Sequence, residues 1–203
     1  MGLLLLVAIG LAVGIWRSVM PVATTIATTR LVFDQPPSWR EGNRADVLDP
    51  VWEVEEKKRY PADAELIDAM IDAFRSGDID YYASIEIDGR PQADGWVSSG
   101  SEEYPVAPSS LTGFALSSAA MSPVHVLPGM TAVDVSLPIG PTARLDYSYD
   151  TSRDDGTVEV VYVRSYWLID GPSVIAVQLV TYGLRPDVVA NFDAVATTFR
   201  WAP

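Results

Sequence analysis

The only histidine, His125, lies in Ser122-Pro-Val-His-Val-Leu-Pro128, flanked by valines and prolines. A general base needs a positioned partner, and a nucleophilic triad needs an accessible serine. Neither is suggested by the neighbouring residues, and no Gly-x-Ser-x-Gly occurs. His125 reads as a packing residue of a loop or edge strand. The absence of cysteine excludes thiol catalysis, disulfides, iron–sulfur clusters and thiolate zinc sites. Carboxylates are the other candidates. Asp150-Thr-Ser-Arg-Asp154-Asp155-Gly156 could offer oxygens to Ca²⁺, but it lacks the alternating acids and late glutamate of an EF-hand loop. It reads as a solvated hairpin turn closed by Asp-Gly. Asp78 and Asp80 alternate, which puts both on one face of a strand, where paired carboxylates could do acid–base work. Solvation at an edge or in a loop is the plainer reading. No residue is assigned a catalytic, cofactor-binding or metal-binding role.

Two arginines and two aromatics suggest binding instead. Arg144 and Arg164 sit inside apolar strand-like runs, where a charge must reach water or a carboxylate. If they converge, they mark an anion or partner site. Trp96 and Tyr104 fall in the loosest region, Arg90 to Ser110, and are the candidates for a partner-contacting patch. The alternative is that they tuck back onto the core.

The elements that position these residues follow from periodicity. Leu66, Ile67, Met70, Ile71 and Phe74 form one stripe of a helix over 61–77, with Pro61 in its first turn and Gly77 as its stop. Val188, Val189, Phe192, Val195, Ala196 and Phe199 form the stripe of a second, beginning at Pro186. Thr157 to Ile169 and Val174 to Tyr182 are β-rich runs joined by Asp170-Gly-Pro-Ser173, which predicts a hairpin. Met130 to Leu137, Thr142 to Asp150 and Asp80 to Asp88 predict further strands. Weaker strand patterns occur at Arg30 to Phe33, Val51 to Glu55 and Leu111 to Leu116, and Gly95 to Ser98 reads as a short strand within the loose region. Hairpin-linked strands with helices at either end predict an α+β fold, a twisted antiparallel sheet packed by helices.

Gly2 to Trp16 contains no polar side chain, and at 1.5 Å per residue spans about 22 Å, short of the roughly 30 Å hydrocarbon core. Crossing a bilayer would need Arg17 to snorkel and part of Ser18 to Thr29 to join the helix. A cleaved signal peptide fits poorly, because no basic residue precedes the apolar run and no clean cleavage site follows it. The expectation is one hydrophobic N-terminal helix acting as an uncleaved single-pass anchor, with residues 1–29 as anchor and neck and 30–203 as a single domain. Arg17, Arg30 and Arg40 after the run place that domain on the cytoplasmic face by the positive-inside rule; a start lying further upstream would reverse this. Gly10 and Gly14 form a Gly-x-x-x-Gly through which two anchors could pack as a homodimer.

Charge narrows the partners. The chain carries 27 acids against 14 bases, for a net charge of −13. Only two bases, Arg17 and Arg30, precede Leu31, and every acid follows it, so the domain from Leu31 onward carries −15. This excludes nucleic acid, whose binding rests on neutralising phosphates with Lys and Arg.

The C-terminal third reads as a unit. Val135-Ser-Leu-Pro-Ile-Gly-Pro-Thr-Ala-Arg144-Leu leads into the hairpin, and Asn191-Phe-Asp-Ala-Val-Ala-Thr-Thr-Phe-Arg-Trp201 closes the chain. Together with Phe33-Asp-Gln-Pro-Pro-Ser-Trp39 and the helix ending at Gly77, it resembles the Mog1/PsbP-like fold, in particular small actinobacterial members. The preference for Arg over Lys agrees with a high-GC bacterial source. The resemblance covers most of Leu31 to Trp201 and implies an accessory or binding protein: among the fold's members, one assists a small GTPase and another stabilises the oxygen-evolving complex. It supplies no catalytic motif. The function expected is therefore a membrane-tethered, non-enzymatic binding or accessory domain serving a larger assembly through an unknown protein partner. The alternatives are a small-ligand or lipid-binding domain using the sheet face and, last, a carboxylate-dependent hydrolase with a pocket lined by at least two of the acids named above.

Overall fold

Alternating apolar residues along the C-terminal runs build a sheet with two buried faces. The computed structural model describes residues 23–87, 90–101, 106–121 and 128–203. Strands β1 (Thr24–Ala27), β2 (Leu31–Gln35) and β10 (Arg200–Trp201) form a small sheet in the order β1-β2-β10. Strands β3 (Trp39–Glu41), β4 (Ile79–Ile87), β5 (Arg90–Ser101), β6 (Thr131–Leu137), β7 (Gly140–Ser152), β8 (Val158–Asp170) and β9 (Ser173–Tyr182) form a seven-stranded sheet in the order β3-β4-β5-β9-β8-β7-β6. The pairings are antiparallel. The helices are α1 (Arg44–Val47), α2 (Pro50–Arg59), α3 (Ala64–Ser76), α4 (Leu111–Ala120) and α5 (Pro186–Ala196). This is the expected α+β architecture.

Strand parity decides what each face packs. On one face, Tyr166, Leu168, Val177, Leu179, Val97 and Ile85 meet Leu31 and Phe33 of β2 and Val188, Phe192 and Val195 of α5. Phe192 is fully buried and stacks on Trp39, with ring centroids 6.1 Å apart. On the other face, Tyr149, Val161, Val163 and Val180 pack with Leu66 of α3. At one end of that face Val47, Phe74 and Ile79 form a further cluster, and at the other Leu111, Ala115 and Ala119 of α4 cover Ala143, Leu145 and Val174. The helix expected over 61–77 is present as a 3₁₀ turn, Pro61–Asp63, followed by α3. It stops at Gly77, whose φ of 86° is left-handed.

Three local readings are overturned. Val51 to Glu55 is helix, because Asp49 caps it by accepting from the Val51 N–H at 2.9 Å and Pro50 opens its first turn. Leu111 to Leu116 is also helix; Leu111, Ala115 and Ala119 bury one face at a spacing of four. Arg90 to Ser101 is one twelve-residue strand rather than a loop, pairing with β4 on one side and β9 on the other. Its small and polar residues carry little β-propensity of their own, and the two flanking strands impose the conformation.

Thr24–Ala27, within the stretch read from sequence as the neck, is strand paired with Val32 to Gln35. Among the described residues no helix is long and apolar enough to cross a membrane. The expected anchor, with Gly10 and Gly14, lies outside the described residues.

Candidate functional site

The two strand-interior arginines meet on one carboxylate. Register places Arg144 and Asp146 of β7 beside Arg164 and Tyr166 of β8, all on the face that α5 covers. Arg144 Nε donates to Asp146 Oδ2 at 3.1 Å, and Arg164 Nε donates to Asp146 Oδ1 at 2.6 Å. Arg164 Nη1 also reaches both oxygens of Asp193 on α5, at 2.8 and 2.6 Å. The hydroxyls of Tyr162 and Tyr166 donate to Asp146 and Asp193 at 2.5 and 2.7 Å. Burial works against the Arg164 charge, but the hydrogen bonds to Asp146 and Asp193 more than offset it and its pKa rises. Two cations face two carboxylates, so the convergence ties α5 to the sheet and leaves no surplus positive charge to hold an anion.

A second polar cluster lies on the opposite face, beneath α2. Asp94 of β5 accepts from the Tyr82 hydroxyl of β4 at 2.9 Å. Burial pushes the Asp94 carboxyl up to about 6; the Tyr82 hydrogen bond pulls the other way, and the charge of Glu56 adds to the rise. Glu56 on α2 is itself raised by burial, opposed by Arg59. Tyr60, at the end of α2, stacks on Tyr182 of β9 with ring centroids 5.9 Å apart. Burial, with the charge of Asp94 next, raises the Tyr182 phenol too. This arrangement keeps the Asp94 carboxyl protonated up to about pH 6.

Tyr82 also borders a cavity of about 510 Å³ at the β3–β4 edge, lined by Glu41, Arg44, Phe74, Asp80 and Tyr81 among others. Arg44 donates to the carbonyls of Phe74 and Arg75 at the end of α3, so its guanidinium is already engaged. A Cβ on Gly42 would overlap the Tyr82 ring. Gly42→Ala is accordingly expected to destabilise the domain by about 1–2 kcal/mol through overpacking, measured by urea denaturation; an unchanged midpoint would contradict this.

The other acids are dispersed. Asp80 lines the cavity and accepts from Thr29 Oγ1 at 2.5 Å, whereas Asp78 accepts from Ser76 Oγ at 2.7 Å and is not among the lining residues. Asp155 accepts from the Thr157 N–H at 2.8 Å, and Gly156 takes a φ of 81°, so this stretch is a capped hairpin turn. Among the described residues no group of three His, Cys, Asp or Glu could hold a metal ion. Trp96 is a mid-strand residue, its backbone paired between Tyr82 and Gln178. Tyr104 and His125 lie outside the described residues. Sequence reasoning missed Glu56 and Asp94. A signal for Glu56 existed in the Asp49-Pro50 cap, which marks its segment as helix.

A scan against protein-family models gives no match, and a search of the curated proteins gives none either. Among solved structures, the chain is similar to the solution structure of cyanobacterial PsbP (CyanoP) from Synechocystis sp. PCC 6803. Identity is 12%, coverage is 89% of this chain and 93% of that one, and the TM-score is 0.46. It is also similar to the crystal structure of LpqN, involved in cell envelope biogenesis of Mycobacterium tuberculosis, with 14% identity, coverage of 89% and 90%, and a TM-score of 0.42.

Proposed function

We propose that this chain is a membrane-tethered, non-enzymatic binding domain that serves a larger protein assembly. The observation that carries this reading is the packing of both faces of the seven-stranded sheet: α5 and the small sheet fill one, and α3 and α4 fill the other. A ligand held against the sheet face would have to displace core side chains, which disfavours the small-ligand reading. The hydrolase reading needs a pocket lined by two of the acids named from sequence, and the cavity at the β3–β4 edge includes only Asp80 of them. The resemblance of the motifs to Mog1/PsbP-like proteins supports an accessory role, and the apolar run Gly2 to Trp16 supports the tether.

The test is fractionation and affinity purification of the full chain. It is expected to remain with membranes after a high-salt wash, to be released when residues 1–22 are deleted, and to co-purify from detergent extracts with a protein in fixed stoichiometry. Recovery as an unaccompanied monomer would overturn the accessory reading, and salt-released chain would overturn the tether.

A further inference from the structure

The edges of both sheets are short, with one exception. β3 has three residues, β1 four and β10 two, whereas β6, Thr131–Leu137, presents seven with no strand beyond it among the described residues. Short edge strands are a common protection against unwanted pairing, and so are charged side chains and proline on an edge; β6 has no proline and a single charge, Asp134. Its backbone polarity follows from the register. Ser136 pairs with Pro141, which has no N–H, so this is a non-hydrogen-bonded pair. By alternation Ala132, Asp134 and Ser136 point their N–H and C=O groups away from β7 and outward. Val133, Val135 and Leu137 share the face of the main core, and Val133 is 42% exposed. Asp134 is exposed on the opposite face and accepts from the Thr112 hydroxyl of α4.

Resting on the accessory reading above, we propose that β6 is the docking edge of this domain and that its occupant is an extended, basic segment of a partner protein, which adds an eighth strand. The outward backbone groups supply the main-chain hydrogen bonds, and Val133, Val135 and Leu137 select apolar residues at alternate positions. Charge selects the basic partner: the domain from Leu31 onward carries −15, and Asp134 stands at the centre of the strand. A second copy is disfavoured by the same charges, because antiparallel self-pairing centred on β6 sets Asp134 against Asp134.

The probe is a capped seven-residue peptide of alternating lysine and valine, with a glutamate–valine peptide as control, added to the full chain in non-ionic detergent. Amide hydrogen exchange at Ala132, Asp134 and Ser136 is expected to slow at least about tenfold with the basic peptide and to stay unchanged with the acidic one. Ser136→Pro removes one outward N–H without touching the β7 ladder and is expected to abolish this protection while the unfolding midpoint is retained. Asp134→Lys, which leaves the backbone intact, is expected to reverse the charge preference. Absence of protection, or equal binding by both variants and the wild type, would overturn the proposal. Protection that appears without peptide and grows with protein concentration, accompanied by dimer in sedimentation, would overturn the choice of occupant. If the partner recovered from membranes also survives both substitutions, the edge is refuted while the accessory reading stands; if neither chain recovers a partner, the accessory reading falls.

Discussion

Replacing Arg164 by alanine is expected to cost the domain about 2–3 kcal/mol, read as a lower midpoint in urea denaturation followed by tryptophan fluorescence. Removing one partner of an enclosed ion pair leaves the other charge desolvated without compensation, and here two carboxylates depend on one guanidinium. Arg164 and Asp146 are only 13% and 15% exposed, which argues for the full cost of a broken buried pair; Asp193 is 38% exposed, which lets water recover part of it. Asp146 also keeps Arg144 and Tyr162. Arg164→Lys should recover less than half of the loss, because an ammonium cannot fork between Asp146 and Asp193 as a guanidinium does. A loss under about 0.5 kcal/mol for the alanine variant would mean the cluster behaves as an ordinary surface pair.

Mild acid, down to about pH 4, is expected to stabilise this domain where it destabilises many others; below that, Asp34 and Asp155, both held low by hydrogen bonds, act in the opposite direction. The folded Asp94 carboxyl titrates at about 6 against an ordinary value of 3.8. Between those two values the folded state holds a proton that the unfolded chain has released. The Asp94 contribution to stability is therefore highest below the unfolded value, falls as pH rises through the window, and carries the whole penalty above about 6, on the order of 3 kcal/mol. Glu56 and Asp63 are displaced in the same direction, each chiefly by burial, so they add to the slope. Asp94→Asn keeps an oxygen for the Tyr82 hydroxyl and removes the charge. It should raise stability at pH 7.5 and have little effect near pH 4. Denaturation midpoints at the two pH values, for both chains, check this; a wild-type midpoint that rises toward pH 7.5 would sink it.

The long β8–β9 hairpin and α3 were legible because their periodicity is local: the apolar residues that define each face lie within one segment. β5 was not, since Ala93, Gly95 and Ser98 have no strand preference and are held by neighbours 8 to 88 positions away. α2 was misread because Val51 and Val54 suggest a buried strand, yet they are 67% and 63% exposed on a capped helix. These two errors together hid the Glu56–Asp94 pair, which exists only if one segment is helix and the other strand. The arginines announced themselves as charges inside apolar runs, while Asp193, 29 residues beyond Arg164, is placed opposite it only by the packing of α5.

The small sheet joins the two ends of the domain: Trp201 pairs with Leu31, and the Ala202 N–H donates to the Arg30 carbonyl at 2.9 Å. The main core draws on both ends in the same way, combining Leu31 and Phe33 with Phe192 and Phe199. During synthesis, then, β2 must wait for α5 and β10 before its cover is complete. The nascent chain can assemble its hairpins early, and Phe33 can meet Tyr81 of β4, but the core closes only once Phe192 to Ala202 have emerged.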